Sequence, residues 1–207
     1  TLTSGLITGA GTRNISVQNS AFTGQMRIDG VTVAAPQLLF DNNTHNGITA
    51  TTAPNARFHL SYSGVGTGMP VATIRNSVFD GSCSDGIQSG VPIAVIHNQF
   101  KNMLVGSCPN DPHTDALQFY GGPFSGTVVR ENYFVNNEQV LPAFDGVDNL
   151  LVEGNVFDPG TSAPRQCQIE LYSDTRSIVR HNTLLGRGNN GLICLDHKPA
   201  DPAGTGT

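Results

Sequence analysis

Tryptophan is absent from this chain, lysine occurs only at Lys101 and Lys198, and 11 basic residues face 16 acidic ones. A formal net charge of −5 argues against nucleic acid as a partner, because a phosphate backbone is held by a positive surface. There is no apolar run long enough to cross a bilayer and no signal-peptide pattern, so no membrane association is expected. The missing initiator Met points to a processed chain. Runs of helix formers are also lacking, which excludes helical repeat architectures.

What is present instead is a recurring short segment: ISVQNSAF (15–22), ATIRNSVF (72–79), AVIHNQF (94–100), VVRENYF (128–134), LLVEGNVF (150–157) and SIVRHNTL (177–184). Each carries β-branched residues, then Asn, then an aromatic or Leu. The asparagines are Asn19, Asn76, Asn98, Asn132, Asn155 and Asn182, with Asn42 from LLFDN between the first two, at intervals of 23, 34, 22, 34, 23 and 27 residues. A unit of that size cannot cover its own apolar face and must be covered by its neighbours.

Alternation makes Ile74, Val95, Val129 and Val152 inward candidates and sets Arg75, His97, Arg130, Glu153 and Arg180 at outward positions. The Asn amide then bonds backbone at a tight bend and stacks on the Asn of the next coil. The expectation is an all-β right-handed parallel β-helix of about seven coils, a rod of roughly 35 Å at roughly 4.8 Å per coil. A second strand series is read from DGIQS (85–89), NMLVG (102–106), DALQF (115–119), EQVLP (138–142), CQIELY (167–172) and NGLICL (190–195), stacked in that order. The 34-residue intervals leave rim loops, including 107–114 and 121–125, of the kind that wall clefts. Residues 1–197 form one domain, and 198–207, with no apolar pattern, a tail.

Cys167 and Cys194 are 27 residues apart, the same interval as Asn155 to Asn182, as residues one coil apart should be; Cys83 and Cys108 are 25 apart. Disulfides Cys83–Cys108 and Cys167–Cys194 are therefore expected, which implies an oxidising, extracellular location.

The stretch CPNDPHTDALQFYGG (108–122) places Asp111, His113 and Asp115 at alternating positions before a strand carrying Gln118, and CSDGIQS (83–89) repeats the pattern with Asp85 and Gln88. With Leu117 and Ile87 inward, the two glutamines point outward and the two aspartates sit at the bend, where they either serve a site or cap the turn. The glutamines equally suit an amide ladder. Glu170, beside inward Ile169, extends the face, and Tyr120 and Tyr172 suit stacking platforms, acid donors or rim packing. A row of amides and carboxylates fits the hydroxyls of a sugar chain.

Two chemistries fit such a face. In a lyase, His113 is the base at C5 of a uronic acid, Tyr120 the acid, and calcium on Asp111, Asp115 and Asp85 neutralises the substrate carboxylate. In a hydrolase, two carboxylates among Asp85, Asp115 and Glu170 do the work. A noncatalytic carbohydrate-binding or structural module is the third reading. The expected partner is a polysaccharide or oligosaccharide, and the expected state a monomer.

These repeats resemble the pectate-lyase-like superfamily of right-handed parallel β-helices over residues 1–197, and Asp111-Pro112-His113 is similar to the Asp-Pro-His motif of mannuronan C5-epimerases. The resemblance implies active-site roles at the sugar C5 for Asp111 and His113. Cys108-Pro109-Asn110 stands where that family has a tyrosine, and Lys101 and Arg130 are the substitutes for its Lys and Arg.

Overall fold

The computed structural model describes residues 1–31, 37–48, 58–60, 68–104, 114–120, 124–144, 146–161, 167–186 and 192–196. Three parallel sheets wrap one core. The first has eight strands: Gly5–Thr8, Met26–Asp29, Phe58–Leu60, Ile87–Ser89, Leu117–Phe119, Leu141–Ala143, Ile169–Tyr172 and Ile193–Asp196. The second runs Ser16–Gln18, Leu38–Asp41, Ala72–Arg75, Ile93–Ile96, Val128–Arg130, Leu151–Glu153 and Ile178–Arg180. The third runs Ala21–Phe22, Thr44–Ile48, Val78–Ser82, Gln99–Lys101, Tyr133–Val135, Val156–Asp158 and Thr183–Leu184. The chain visits the sheets in the order first, second, third, seven times over, and then adds the eighth strand of the first sheet. The fold is a right-handed parallel β-helix of seven coils, as expected.

Coil registration comes from the bend between the second and third sheets, which is two residues long in every coil: 19–20, 42–43, 76–77, 97–98, 131–132, 154–155 and 181–182. The first residue of each pair adopts positive φ: Asn19, Asn42, Asn76, His97, Glu131, Gly154 and His181, between 52° and 66°. Asn, His and Gly tolerate this left-handed conformation best. The second residue carries the ladder. Asn155 Oδ1 accepts from Asn132 N (2.9 Å) and Asn132 Oδ1 from Asn98 N (2.9 Å), while the Asn132 amide donates to Val95 O (2.9 Å). The ladder continues through Ser77 and Asn43 to Ser20. The sequence reading requires a correction here. Asn19, Asn42 and Asn76 are the left-handed residues one position earlier, where Asn42 Nδ2 still donates to Asn19 Oδ1 at 2.7 Å, and Ser20, Asn43 and Ser77 take the position of the buried ladder. Asn serves both places, one through its amide and one through its tolerance of positive φ, so the spacing alone merged them.

The core is built of rows. Ile74, Val95, Val129 and Val152 all point inward and are fully buried. On the third sheet Phe22, His45, Phe79, Phe100, Phe134 and Phe157 form a column of stacked rings with centroids 4.4 to 5.0 Å apart. The coil spacing of about 4.8 Å sets ring separation near aromatic contact, so each ring is covered on both faces.

A second correction concerns NMLVG (102–106). Its described part, 102–104, is no strand of the first sheet: Asn102 turns the chain out of the third sheet at φ 61°, and Met103 caps the core. DGIQS and DALQF are therefore adjacent, with Ile87 paired to Leu117.

The Cys167–Cys194 disulfide is present, with Cα atoms 5.8 Å apart, and ties the final strand to the coil before it. Cys83 is also disulfide-bonded; its expected partner, Cys108, and the tail 198–207 lie outside the described residues.

Phe100→Ala empties a site enclosed by two rings and is expected to cost about 3–5 kcal/mol in denaturant unfolding. Asn132→Ala leaves the buried Asn98 N–H and Val95 carbonyl of the preceding coil unsatisfied and should cost about 2–3 kcal/mol, with far-UV dichroism retained at low denaturant.

Candidate functional site

The corner between the second and third sheets never varies, so the differences in coil length fall in the other two connections. From the third sheet to the first these include 49–57, 102–116 and 159–168; from the first to the second, 30–37, 61–71 and 120–127. Both kinds border the first sheet. Variable connections on a regular scaffold are where binding residues concentrate.

The outward face of the first sheet carries two rows. One contains Arg27, Gln88, Gln118, Pro142, Glu170 and Cys194; the other, two residues further along each strand, contains Asp29, Gly90, Tyr120, Phe144, Tyr172 and Asp196. Gln88 and Gln118 are register partners, and Gln88 Nε2 donates to Gln118 Oε1 at 2.5 Å. They form the amide ladder and remain half-exposed. In the second row the ring of Tyr120 passes over Gly90, where a Cβ would lie 3.5 Å from Cζ. One coil pair on, Phe144 and Tyr172 pack at 5.1 Å with their planes tilted by 47°. Three half-exposed aromatic rings thus follow one another at coil spacing.

The electrostatics keep both phenols protonated. Burial raises the Tyr120 hydroxyl above the ordinary tyrosine value, with the Asp29 charge adding to it. Burial likewise raises Tyr172, helped by Glu170 and Asp196. Both can donate a hydrogen bond throughout the neutral range. Arg27 pairs with Asp29 at 2.6 Å.

The expected carboxylates are more enclosed than the sequence reading had them. Asp85 is 7 %, Asp115 0 % and Glu170 3 % exposed. Asp85 Oδ1 accepts from the backbone N–H of Asp115 on the next coil at 2.9 Å, a bond between coils rather than a cap on its own turn. The structure therefore brings Asp85, Gln88, Asp115, Gln118, Tyr120, Glu170 and Tyr172 to one sheet, with the carboxylates covered and the amides and rings open. It does not bring Lys101 or Arg130 there. Lys101 is on the third sheet with Asp80 at 3.2 Å, and Arg130 is on the second, between Ile96 and Glu153 in register. Other cations also belong to inter-coil pairs. Arg75 lies 2.7 Å from Asp41 and its hydrogen bond holds that carboxyl below the usual range; Arg180 does the same to Glu153, and Arg176 to Asp148.

Asp111 and His113 lie outside the described residues, in the connection 102–116 that enters Leu117–Phe119. Among the described residues no group of three or more His, Cys, Asp or Glu is placed to hold a metal ion, and Asp85 spends one carboxylate oxygen on Asp115. The sequence reading missed Arg27, Asp29 and Phe144. Extending each strand by one residue in a common register would have found Phe144, since it aligns with Tyr120 and Tyr172. No helix of the described residues is long and apolar enough to cross a membrane.

No protein-family model matches the chain, and none of the curated proteins or solved structures searched matches it. Function therefore rests on the face itself.

A buried acid lies at the end of this face. Asp174 is 3 % exposed; its Oδ1 accepts from Val147 N at 2.9 Å, while Oδ2 has no hydrogen-bond partner among the described residues. Burial pushes its pKa up to about 8, opposed by the Val147 bond and reinforced by Asp148. Between the unfolded value of about 4 and this folded value, the native state holds a proton that the unfolded state releases, so stability falls as pH rises. The melting temperature is expected to drop from pH 5 to pH 8 on this account. Asp174→Asn, which keeps the acceptor and removes the ionisation, should flatten that slope.

Proposed function

We propose that the protein engages an extracellular polysaccharide along the outward face of the first sheet. The observation that carries this reading is the convergence of the variable connections, the Gln88–Gln118 amides and the rings of Tyr120, Phe144 and Tyr172 on that one sheet. Sugar rings present apolar faces that stack on aromatics and hydroxyls that pair with amides. A row repeating at coil spacing offers successive subsites to a chain of similar repeat. The Cys167–Cys194 disulfide agrees with an extracellular setting.

As an enzyme the protein is read as a lyase or C5-epimerase. His113, in the connection bordering this sheet and flanked in sequence by Asp111 and Asp115, takes the C5 proton. Tyr120 on the sheet, held protonated, donates to the departing glycosidic oxygen in the lyase case. Asp85 and Asp115 are too covered to share a calcium ion with a uronate carboxylate, so no step is drawn through calcium. The second reading, a noncatalytic binding module, is favoured by the burial of Asp85, Asp115 and Glu170. That burial keeps all three candidates for a hydrolase's two carboxylates away from a substrate.

Incubation with a panel of polysaccharides separates these readings. New absorbance near 235 nm marks elimination, reducing ends without it mark hydrolysis, and binding alone marks the module. On the lyase reading His113→Ala should lower turnover by at least about 100-fold with an unchanged thermal melt; wild-type turnover in that variant would remove His113 from the mechanism. Tyr172→Ala should weaken glycan binding in either reading.

A further inference from the structure

One connection from the first sheet to the second is shorter than the other six. In the fourth coil it is residues 90–92, where the third and fifth coils have 61–71 and 120–127. Three residues only turn the corner, so the rim forms a notch between two longer connections. Those connections meet across it. A Cβ at Gly126, which has φ 93°, would lie 2.3 Å from Gly68 O and 3.1 Å from Met69 N, so backbone touches backbone and only glycine fits. Gly68 belongs to the third coil and Gly126 to the fifth, each near the second-sheet end of its connection. Their contact walls the notch on that side.

Tyr120 occupies the first-sheet side of the notch. It extends Leu117–Phe119 by one residue, and its N–H donates to Ser89 O at 3.1 Å. The ring leans from the fifth coil onto the fourth: a Cβ at Gly90 would lie 3.5 Å from Cζ and 3.7 Å from Cε2. The far end of the ring therefore rests on backbone that carries no side chain. The phenol feels the charge of Asp29, on the second coil, which agrees with a ring leaning that way. Phe144 and Tyr172 differ, since each is backed by the other at 5.1 Å. In the neighbouring row Gln118 Oε1 accepts from Gln88 Nε2, which leaves the Gln118 amide nitrogen as a donor for a ligand.

We propose that this notch is the principal sugar subsite of the face, where one pyranose ring stacks on Tyr120 and a hydroxyl accepts from the Gln118 amide, with Gly90 setting how low the aromatic ring lies. The proposal rests on the reading of this face as a polysaccharide site and adds where on it affinity is concentrated. Gly90 is outside the left-handed region, so a side chain there meets the Tyr120 ring rather than a backbone penalty. The Cβ of Ala would sit at ordinary contact distance, whereas the γ carbons of Val would reach the ring and lift it. The Gly68–Gly126 wall stops a polymer from crossing toward the second sheet. The glycan then runs along the rod, from Tyr120 toward Phe144 and Tyr172.

Calorimetric titration with hexasaccharides of β-1,4-glucose, β-1,4-mannose, β-1,4-mannuronate and α-1,4-galacturonate is the test. Tyrosine fluorescence gives a second signal, because the chain has four Tyr and no Trp. For each probe that binds the wild-type chain, Gly90→Val should weaken binding at least about tenfold with the wild-type thermal melt, and Gly90→Ala should retain most of the affinity. Tyr120→Ala should lose more than Tyr172→Ala, while Tyr120→Phe should lose far less than Tyr120→Ala, because the ring rather than the hydroxyl carries the contact. Wild-type affinity in Gly90→Val overturns the inference and leaves the glycan reading standing. So does a loss in Tyr120→Ala no larger than in Tyr172→Ala, a comparison that holds even where Gly90→Val lowers the melt. Failure of all four probes to bind the wild-type chain overturns the glycan reading, and this inference with it.

Discussion

The two-residue bend between the second and third sheets is the constraint on which the rest of the molecule depends. Each bend needs one residue in the left-handed conformation and, from the second coil on, one side chain that bonds the backbone of the coil before it. Because the bend never lengthens, consecutive coils stay in register along the whole rod. Register in turn lets the core rows form, since a shift of one residue would exchange inward Ile74, Val95 and Val129 for outward neighbours. The stacked rings from Phe22 to Phe157 follow from the same lock, because they meet face to face only where coils repeat at sheet spacing.

Fixing one corner confines variation to the other two, and both flank the first sheet. This separates stability from recognition within one chain. The second and third sheets settle their charges between coils, as Arg75 with Asp41, Arg180 with Glu153 and Lys101 with Asp80 show. Those pairs are exposed and each adds little to stability, but they leave few cations for a ligand. The first sheet instead presents amides and rings, which bind through shape and hydrogen bonding more than through net charge. That character suits a chain with an overall charge of −5.

Buried aspartates sit at both ends of the first sheet's strands. Asp85 and Asp115 organise the entry to adjacent strands, and Asp174 closes a corner at the exit. A carboxyl at such a place satisfies backbone donors that no strand partner reaches, at the expense of its own hydration. Acid-side stability rests on Asp41, Asp148 and Glu153, whose partners depress their pKa values, while Asp174 works in the opposite sense between about pH 4 and its folded pKa of about 8. The stability optimum therefore falls on the acid side of neutral.

The sequence by itself determined the solenoid, its seven coils, the inward identity of Ile74, Val95, Val129 and Val152, and the Cys167–Cys194 bridge. All are consequences of local periodicity repeated at coil intervals, and a repeat can be counted without knowing where its strands lie. It did not separate the two duties of Asn, because the left-handed residue and the ladder residue are adjacent and use the same side chain type. Nor could it distinguish a carboxylate open to a ligand from a covered one: Asp85, Asp115 and Glu170 read alike in either case. Tertiary structure decided that, by covering the carboxylates and leaving Gln88, Gln118, Tyr120 and Tyr172 open. It also sent Lys101 and Arg130 to other sheets and aligned Phe144 with the tyrosines. Burial and the sharing of a face depend on how far apart in sequence the neighbouring coils are, and that distance is set by connections of unequal length whose only common reference is the invariant corner.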